Sequence, residues 1–219
     1  MLSSLKKPGE PQVNTKQTRR RQAWPTVDAM GLFSKKQAAP ALESVVPLMV
    51  KDEWIASADV IPDVEQRPVY IPVGETWGVS FAQDEGGSYS VVNRKTAVDA
   101  GYDDTALLKA ATEQLASIAR GGLQATGDGR YRLELPGHED LAASLILIMP
   151  LLLPSLPISG RPVIAIGHRI ALHVCGSDDA EGIVGLRELA QALYSSGEAK
   201  PVTPLLYTLI DGVITPFGA

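Results

Sequence analysis

The sequence predicts an α+β fold: a mainly antiparallel sheet built of hairpins, with three to four helices packed on it. Three observations carry this expectation. Asp211-Gly212 stands between the apolar runs Tyr207–Ile210 and Val213–Phe217, the strongest short-range hairpin signal. Trp77, Val79 and Phe81 alternate with Gly78, Ser80 and Ala82 before the turn residues Asp84-Glu85-Gly86-Gly87, and Tyr89 and Val91 resume the alternation. Two stretches repeat apolar residues at helical spacing: Leu107, Leu108, Ala111, Leu115 and Ile118, then Ile183, Leu186, Leu189, Ala190 and Leu193.

The remaining elements follow in chain order. Leu42, Val45, Val46 and Met49 recur at roughly helical spacing, so a short helix is expected over Ala41–Lys51 despite Pro47. Asp103 or Asp104 caps the helix after the first hairpin, and Gly121-Gly122 ends it. Tyr131–Leu135 is a strand after the Gly127-Asp128-Gly129 turn. Leu141 to Ile158 carries no charge, but Pro150, Pro154 and Pro157 crowd its second half. A membrane span needs about 20 consecutive, predominantly apolar residues. A buried core helix that breaks near Pro150 is therefore expected. Val163–Ile166 and Ile170–Val174 are apolar on both faces and read as central strands joined by a Gly167-His168-Arg169 turn. Asp178-x-x-Glu181 resembles a capping box for the last helix, which stops at Gly197.

Charge divides the chain. Residues 1–40 hold eight Lys or Arg against Glu10 and Asp28, while the remainder holds 12 basic and 23 acidic residues. The first 40 residues have no hydrophobic period and read as a disordered basic tail ahead of a single domain over 41–219. Within the tail, Met30-Gly31-Leu32-Phe33-Ser34-Lys35-Lys36 looks like a bacterial protein start. No apolar signal segment opens the chain, and a single cysteine, Cys175, excludes a disulfide framework, which points to the cytoplasm. An acidic body is a poor reader of phosphate backbones, and Arg19-Arg20-Arg21 with Trp24 in a tail supplies only salt-sensitive affinity. Specific nucleic-acid binding is not expected.

Catalytic motifs are missing at the sequence level. There is no phosphate-binding glycine loop, no GxGxxG, no GxSxG, and His138-Glu139 lacks the second histidine of a zinc protease. His168, Arg169, His173 and Cys175 form the one local cluster. Alternation along a strand sets His168 opposite to His173 and Cys175, and a turn would hold it at the tip. Two aligned ligands do not fill a zinc tetrahedron, so no metal and no cofactor are expected. A Cys175–His173 nucleophilic pair competes with a buried cysteine beside a packed histidine, the commoner occupants of a central strand. Asp103-Asp104 and Asp178-Asp179-Glu181 sit at helix starts, where capping explains them. Asp84-Glu85 reads as a solvated hairpin tip.

Several short stretches taken together resemble the bacterial YtpQ-like family (domain of unknown function 1444) over residues from about 44 to 217. They are Ser44-Val45-Val46-Pro47-Leu48, the hairpin Trp77–Val92, Ala110-Ala111-Thr112-Glu113-Gln114-Leu115, and Leu141-Ala142-Ala143-Ser144-Leu145-Ile146-Leu147. Val163-Ile164-Ala165-Ile166-Gly167-His168-Arg169 and Pro201-Val202-Thr203-Pro204-Leu205-Leu206-Tyr207 complete the set. The family pattern has Asn-Leu where Gln114-Leu115 stands. It has a Pro-x-Arg-Asp turn where Gly167-His168-Arg169-Ile170 stands, so Arg169 alone is kept there. The resemblance implies the fold and brings no reaction.

The functional expectation is a non-enzymatic cytoplasmic binding or regulatory module with a protein partner, an immunity-type inhibitor being one version. The alternative is an enzyme whose site is assembled from dispersed residues near 167–175. No catalytic residue is assigned. Arg169 and His168 are the candidate binding residues: a turn does not demand arginine, and a guanidinium offers a planar fork of donors to a carboxylate or phosphate.

Overall fold

The computed structural model describes residues 44–86, 88–196 and 200–218. The expectations for the basic tail, for Met30 and for the Gly197 helix stop fall outside them. The described elements run β1 (Val45–Lys51), α1 (Asp52–Ala58), β2 (Tyr70–Pro72), β3 (Trp77–Asp84), β4 (Tyr89–Val91), α2 (Arg94–Asp99) and α3 (Asp104–Gly122). There follow β5 (Gln124–Gly127), β6 (Arg130–Glu134), a 3-10 segment over Glu139–Ile148, α4 (Met149–Leu152), β7 (Pro162–Ala165), β8 (Leu172–Gly176), α5 (Ala180–Ser195), β9 (Leu206–Ile210) and β10 (Val213–Pro216).

The fold is α+β, as expected, but its strands form two antiparallel sheets instead of one. The smaller is centred on β3, which pairs with β1 along one edge and with β2 and β4 end to end along the other. The larger has the order β10-β9-β7-β8-β6-β5. Helix α5 packs on β7, β8 and β9, while the 3-10 segment packs on β8, β6, β1 and α3. One buried cluster draws side chains from both sheets, including Val46, Trp77, Phe81, Leu133, Ile164 and Val174.

The helix expected over Ala41–Lys51 is the strand β1. Both of its faces are buried, from Val45 to Val50, so its apolar residues run on without a two-residue period and imitate a helical one. Pro47 fits because the carbonyl of Pro47 points away from β3 and accepts the Ser144 hydroxyl at 2.7 Å. The nitrogen of a strand residue points the same way as its carbonyl, so the missing N–H costs the ladder nothing. Strand β3 is likewise buried on both faces up to Ala82, although the alternation of Trp77, Val79 and Phe81 with smaller residues predicts a half-buried strand.

The uncharged run is core from Leu141 to Met149, as expected, but beyond Pro150 it reaches the surface, with Leu151, Pro154, Ser155 and Pro157 exposed, and its buried part lies in a 3-10 segment over Glu139–Ile148 and not in an α-helix. At three residues per turn its side chains fall into three rows. The rows Ala142/Leu145/Ile148 and Ala143/Ile146/Met149 are wholly buried, and in the third row Leu141 and Ser144 are buried while Leu147 is half-buried. Small residues at 142–144 let it approach β1 closely enough for the Ser144–Pro47 bond. Pro150 does not end a helix; it occupies the first turn of α4, where its absent N–H has no intrahelical role. No helix among the described residues is long and apolar enough to cross a membrane.

Asp103 caps α3, accepting from Ala106 N at 2.7 Å. The cap of α5 is Asp179, one residue later than expected, accepting from Gly182 N at 2.9 Å. Glu181 does not close a capping box; it faces Arg130 at 3.5 Å, and Asp179 accepts from two nitrogens of the same guanidinium. The β9–β10 hairpin is as expected: Asp211 and Gly212 have φ of 51° and 75°, the left-handed pair of a two-residue turn.

Candidate functional site at the β7–β8 connection

Residues 166–171, between β7 and β8, are not a tight turn. Their backbone is tied to two other parts of the chain. Gly167 O accepts from Val202 N at 3.1 Å, Arg169 N donates to Lys200 O at 3.3 Å, and Ala143 N donates to Arg169 O at 2.9 Å. Gly167 meets α5 so closely that a Cβ there would stand 2.7 Å from Ala190 O. The connection is thus held between the 3-10 segment, α5 and the strand-like chain at Lys200–Val202.

His168 is 3% exposed, not at a solvent-facing tip as the turn expectation placed it. Its Nδ1 accepts from Ile170 N at 3.3 Å, and its Nε2 has no partner among the described residues. Arg169 is half-buried, and no described residue accepts a hydrogen bond or ion pair from its side chain; its Nε is fully enclosed. Burial lowers the Arg169 pKa from its usual value, with the charge of Asp140 opposing. Asp140, at the start of the 3-10 segment, is ion-paired with Lys200. Lys200 has a φ of 108°, a left-handed conformation costly for a side-chain-bearing residue.

A second polar group lies near the same end of the 3-10 segment. Asp84 is not a solvated tip residue: its side chain is 13% exposed and one carboxylate oxygen faces His138 Nδ1 at 3.4 Å. Tyr89 approaches the same nitrogen at 3.5 Å. The Tyr89 phenol is pushed up to about 12, first by burial and then by Asp84, Asp140 and Glu139, so it stays protonated at neutral pH. Sequence reasoning missed Asp84, Tyr89, His138, Asp140 and Lys200. They come from four separate stretches, and no local spacing announces them.

The Cys175–His173 pair does not have the electrostatics of a nucleophile and base. Cys175 is buried under α5 with Val163, Ala165, Leu186 and Ala190, and desolvation raises its thiol pKa. A reactive cysteine needs the opposite shift. Burial, then Arg132, lowers His173 to about 4. Its register partner across the ladder is Arg132. Among the described residues, no group of three or more His, Cys, Asp or Glu is arranged to hold a metal.

His173 makes a testable contribution to stability. Its folded pKa of about 4 lies below the ordinary 6.5, so between those values the unfolded chain binds the extra proton. The contribution of His173 is present above pH 6.5 and is lost as pH falls toward 4. Urea midpoints measured from pH 7 to pH 4 are expected to fall less steeply in His173→Gln than in the wild type; parallel curves would refute this.

No family model, curated protein or solved structure matches the chain.

Proposed function

We propose that this chain is a non-enzymatic binding module that engages a protein partner, in the cytoplasm, through the β7–β8 connection. The observation that supports this reading is the Arg169 side chain. It is half-buried at a backbone junction of three segments, yet no described residue supplies it with an acceptor. Polar groups enclosed by a fold are normally satisfied, so an acceptor beyond the described residues is the natural complement, and in this proposal a partner supplies it. The resemblance to the YtpQ-like family, in which Arg169 is the residue kept at this turn, is in keeping with this reading.

Arg169→Ala and Arg169→Lys test it. Both are expected to keep the wild-type melting temperature within a degree or two. Both should lose the protein that wild type captures, with Ala weakened at least ~10-fold, since a charge-assisted bond to a planar fork is removed. A clear fall in melting temperature for Ala, partly restored by Lys, would assign Arg169 to the structure instead. An enzymatic alternative draws on Asp84, His138 and Tyr89, which meet at one imidazole nitrogen. It would be favoured if turnover were found that His138→Ala abolishes.

A further inference from the structure

The outer edge of a β-sheet exposes backbone donors and acceptors that another strand can pair with, and folded proteins cover or interrupt such edges. Each of the two sheets has two edges, and three of the four are treated in this way. The outer edge of β1 lies against the 3-10 segment, with the Pro47 carbonyl bonded to Ser144. The opposite edge of that sheet is divided between two three-residue strands, β2 and β4, and β2 ends on Pro72. Beyond β10, Phe217 N donates to Leu206 O at 2.9 Å, so the alternate residues Thr215 and Val213 also turn their backbone groups to β9. Ile214 and Pro216 therefore face outward, and Pro216 has no N–H to offer there. Strand β5 is the exception. It closes the large sheet beside β6, has no second neighbouring strand among the described residues, and all four of its residues, Gln124, Ala125, Thr126 and Gly127, are exposed. None is charged and none is a proline.

Charge says what fits this edge. After position 40 the chain holds 12 basic against 23 acidic residues, so two copies repel over most of their surface, and an uncharged edge is where they can meet. Within the β5–β6 ladder Thr126 is opposite Arg132 and Gln124 opposite Glu134, so these four side chains share one face of the sheet. An antiparallel β5 from a second copy, centred with Ala125 opposite Ala125, sets Thr126 of each copy against Gln124 of the other. Each row across the seam then reads Arg132, Thr126, Gln124, Glu134, with a cation at one end and an anion at the other. Centring on Thr126 or on Gln124 would instead end a row on two arginines or on two glutamates. Arg132 keeps its own Glu134 at 2.6 Å, so the rows select the register and add no new ion pair. We propose that β5 is a self-association edge, which pairs antiparallel with β5 of a second copy about a two-fold axis at Ala125 and joins the two large sheets. This is independent of the reading of Arg169.

Four residues a side make a contact smaller than the roughly 1,200 Å² of stable complexes, so the dimer is weak and concentration-dependent. Sedimentation equilibrium of the full chain at low salt reads it, and the average mass is expected to rise from one chain toward two with increasing protein concentration. Ala125→Lys and Ala125→Glu each set like charges directly opposite one another at the axis. Each alone is expected to weaken association ~3-fold or more, while an equimolar mixture, with lysine opposite glutamate, regains at least the wild-type association. Ala125 is exposed, so both variants should keep the wild-type melting temperature. Either variant by itself still tests the edge if the other fails to fold. A single-chain mass at every concentration overturns the proposal. So does an association that the variants leave unchanged, or a mixture that associates no better than its two components.

Discussion

Leu145→Asp is expected to abolish folding. Leu145 is fully enclosed in the middle row of the 3-10 segment, which packs against β1, β8 and α3. An aspartate there has no cationic partner among the buried neighbours. The cost of an unpaired buried charge is several kcal/mol, comparable with the roughly 5–15 kcal/mol that holds a typical domain together. Far-UV circular dichroism and solubility of the purified variant read the outcome. Leu147→Asp, two residues on, should be milder, because Leu147 is only half-buried at the edge of the core and a carboxylate there can reach water. The uncharged sequence run makes these two leucines look equivalent; only the three-residue winding separates them. Equal behaviour of the two variants would mean that the segment does not pack as described.

Trp77→Ala is expected to cost about 3–5 kcal/mol, the range for removing a buried large aromatic side chain. Trp77 is fully buried on β3, and its indole N–H donates to the Tyr207 hydroxyl on β9 at 2.7 Å. The two rings meet edge to face, with centroids 5.3 Å apart at 82°. This pair links the smaller sheet to the larger one. The melting temperature should fall by about 10 °C, taking roughly 2–4 °C per kcal/mol for a chain of this size. Tyr207→Phe is the finer probe: it keeps the ring and leaves the indole N–H without its acceptor, at about 1–3 kcal/mol. If Tyr207→Phe costs nothing while Trp77→Ala is severe, packing alone joins the sheets and the hydrogen bond is incidental.

Local signals were enough where an element's chemistry is complete within its own residues. Asp211-Gly212 specifies a hairpin because its two positions take left-handed backbone angles that few other pairs tolerate. Helix α3 announces itself through one apolar stripe and a capping aspartate; Leu107, Leu108, Ala111 and Leu115 are buried as the stripe requires. Arg169 and His168 could be singled out as an unusual pair for a supposed turn. Their condition could not be read there, because it depends on Lys200, Ala143 and Val202 meeting the connection from elsewhere in the chain.

What the sequence by itself determined was the α+β class, the two hairpins whose apolar runs begin at Trp77 and Tyr207, the two long helices, and the burial of the uncharged run as far as Met149. Each follows from neighbours within a few positions, through period, turn residue or cap. Tertiary structure decided the rest. It made β1 a strand by burying both of its faces, which erases the alternation that marks strands. It wound Glu139–Ile148 as a 3-10 segment, and it divided the strands between two sheets. It also turned Asp84 inward to His138 and paired Lys200 with Asp140, leaving Arg169 and His168 with enclosed nitrogens that have no acceptor among the described residues. The physical reason is the same in each case. Burial and hydrogen-bond satisfaction are settled by groups far apart in sequence, and a local pattern records only what a segment is able to do.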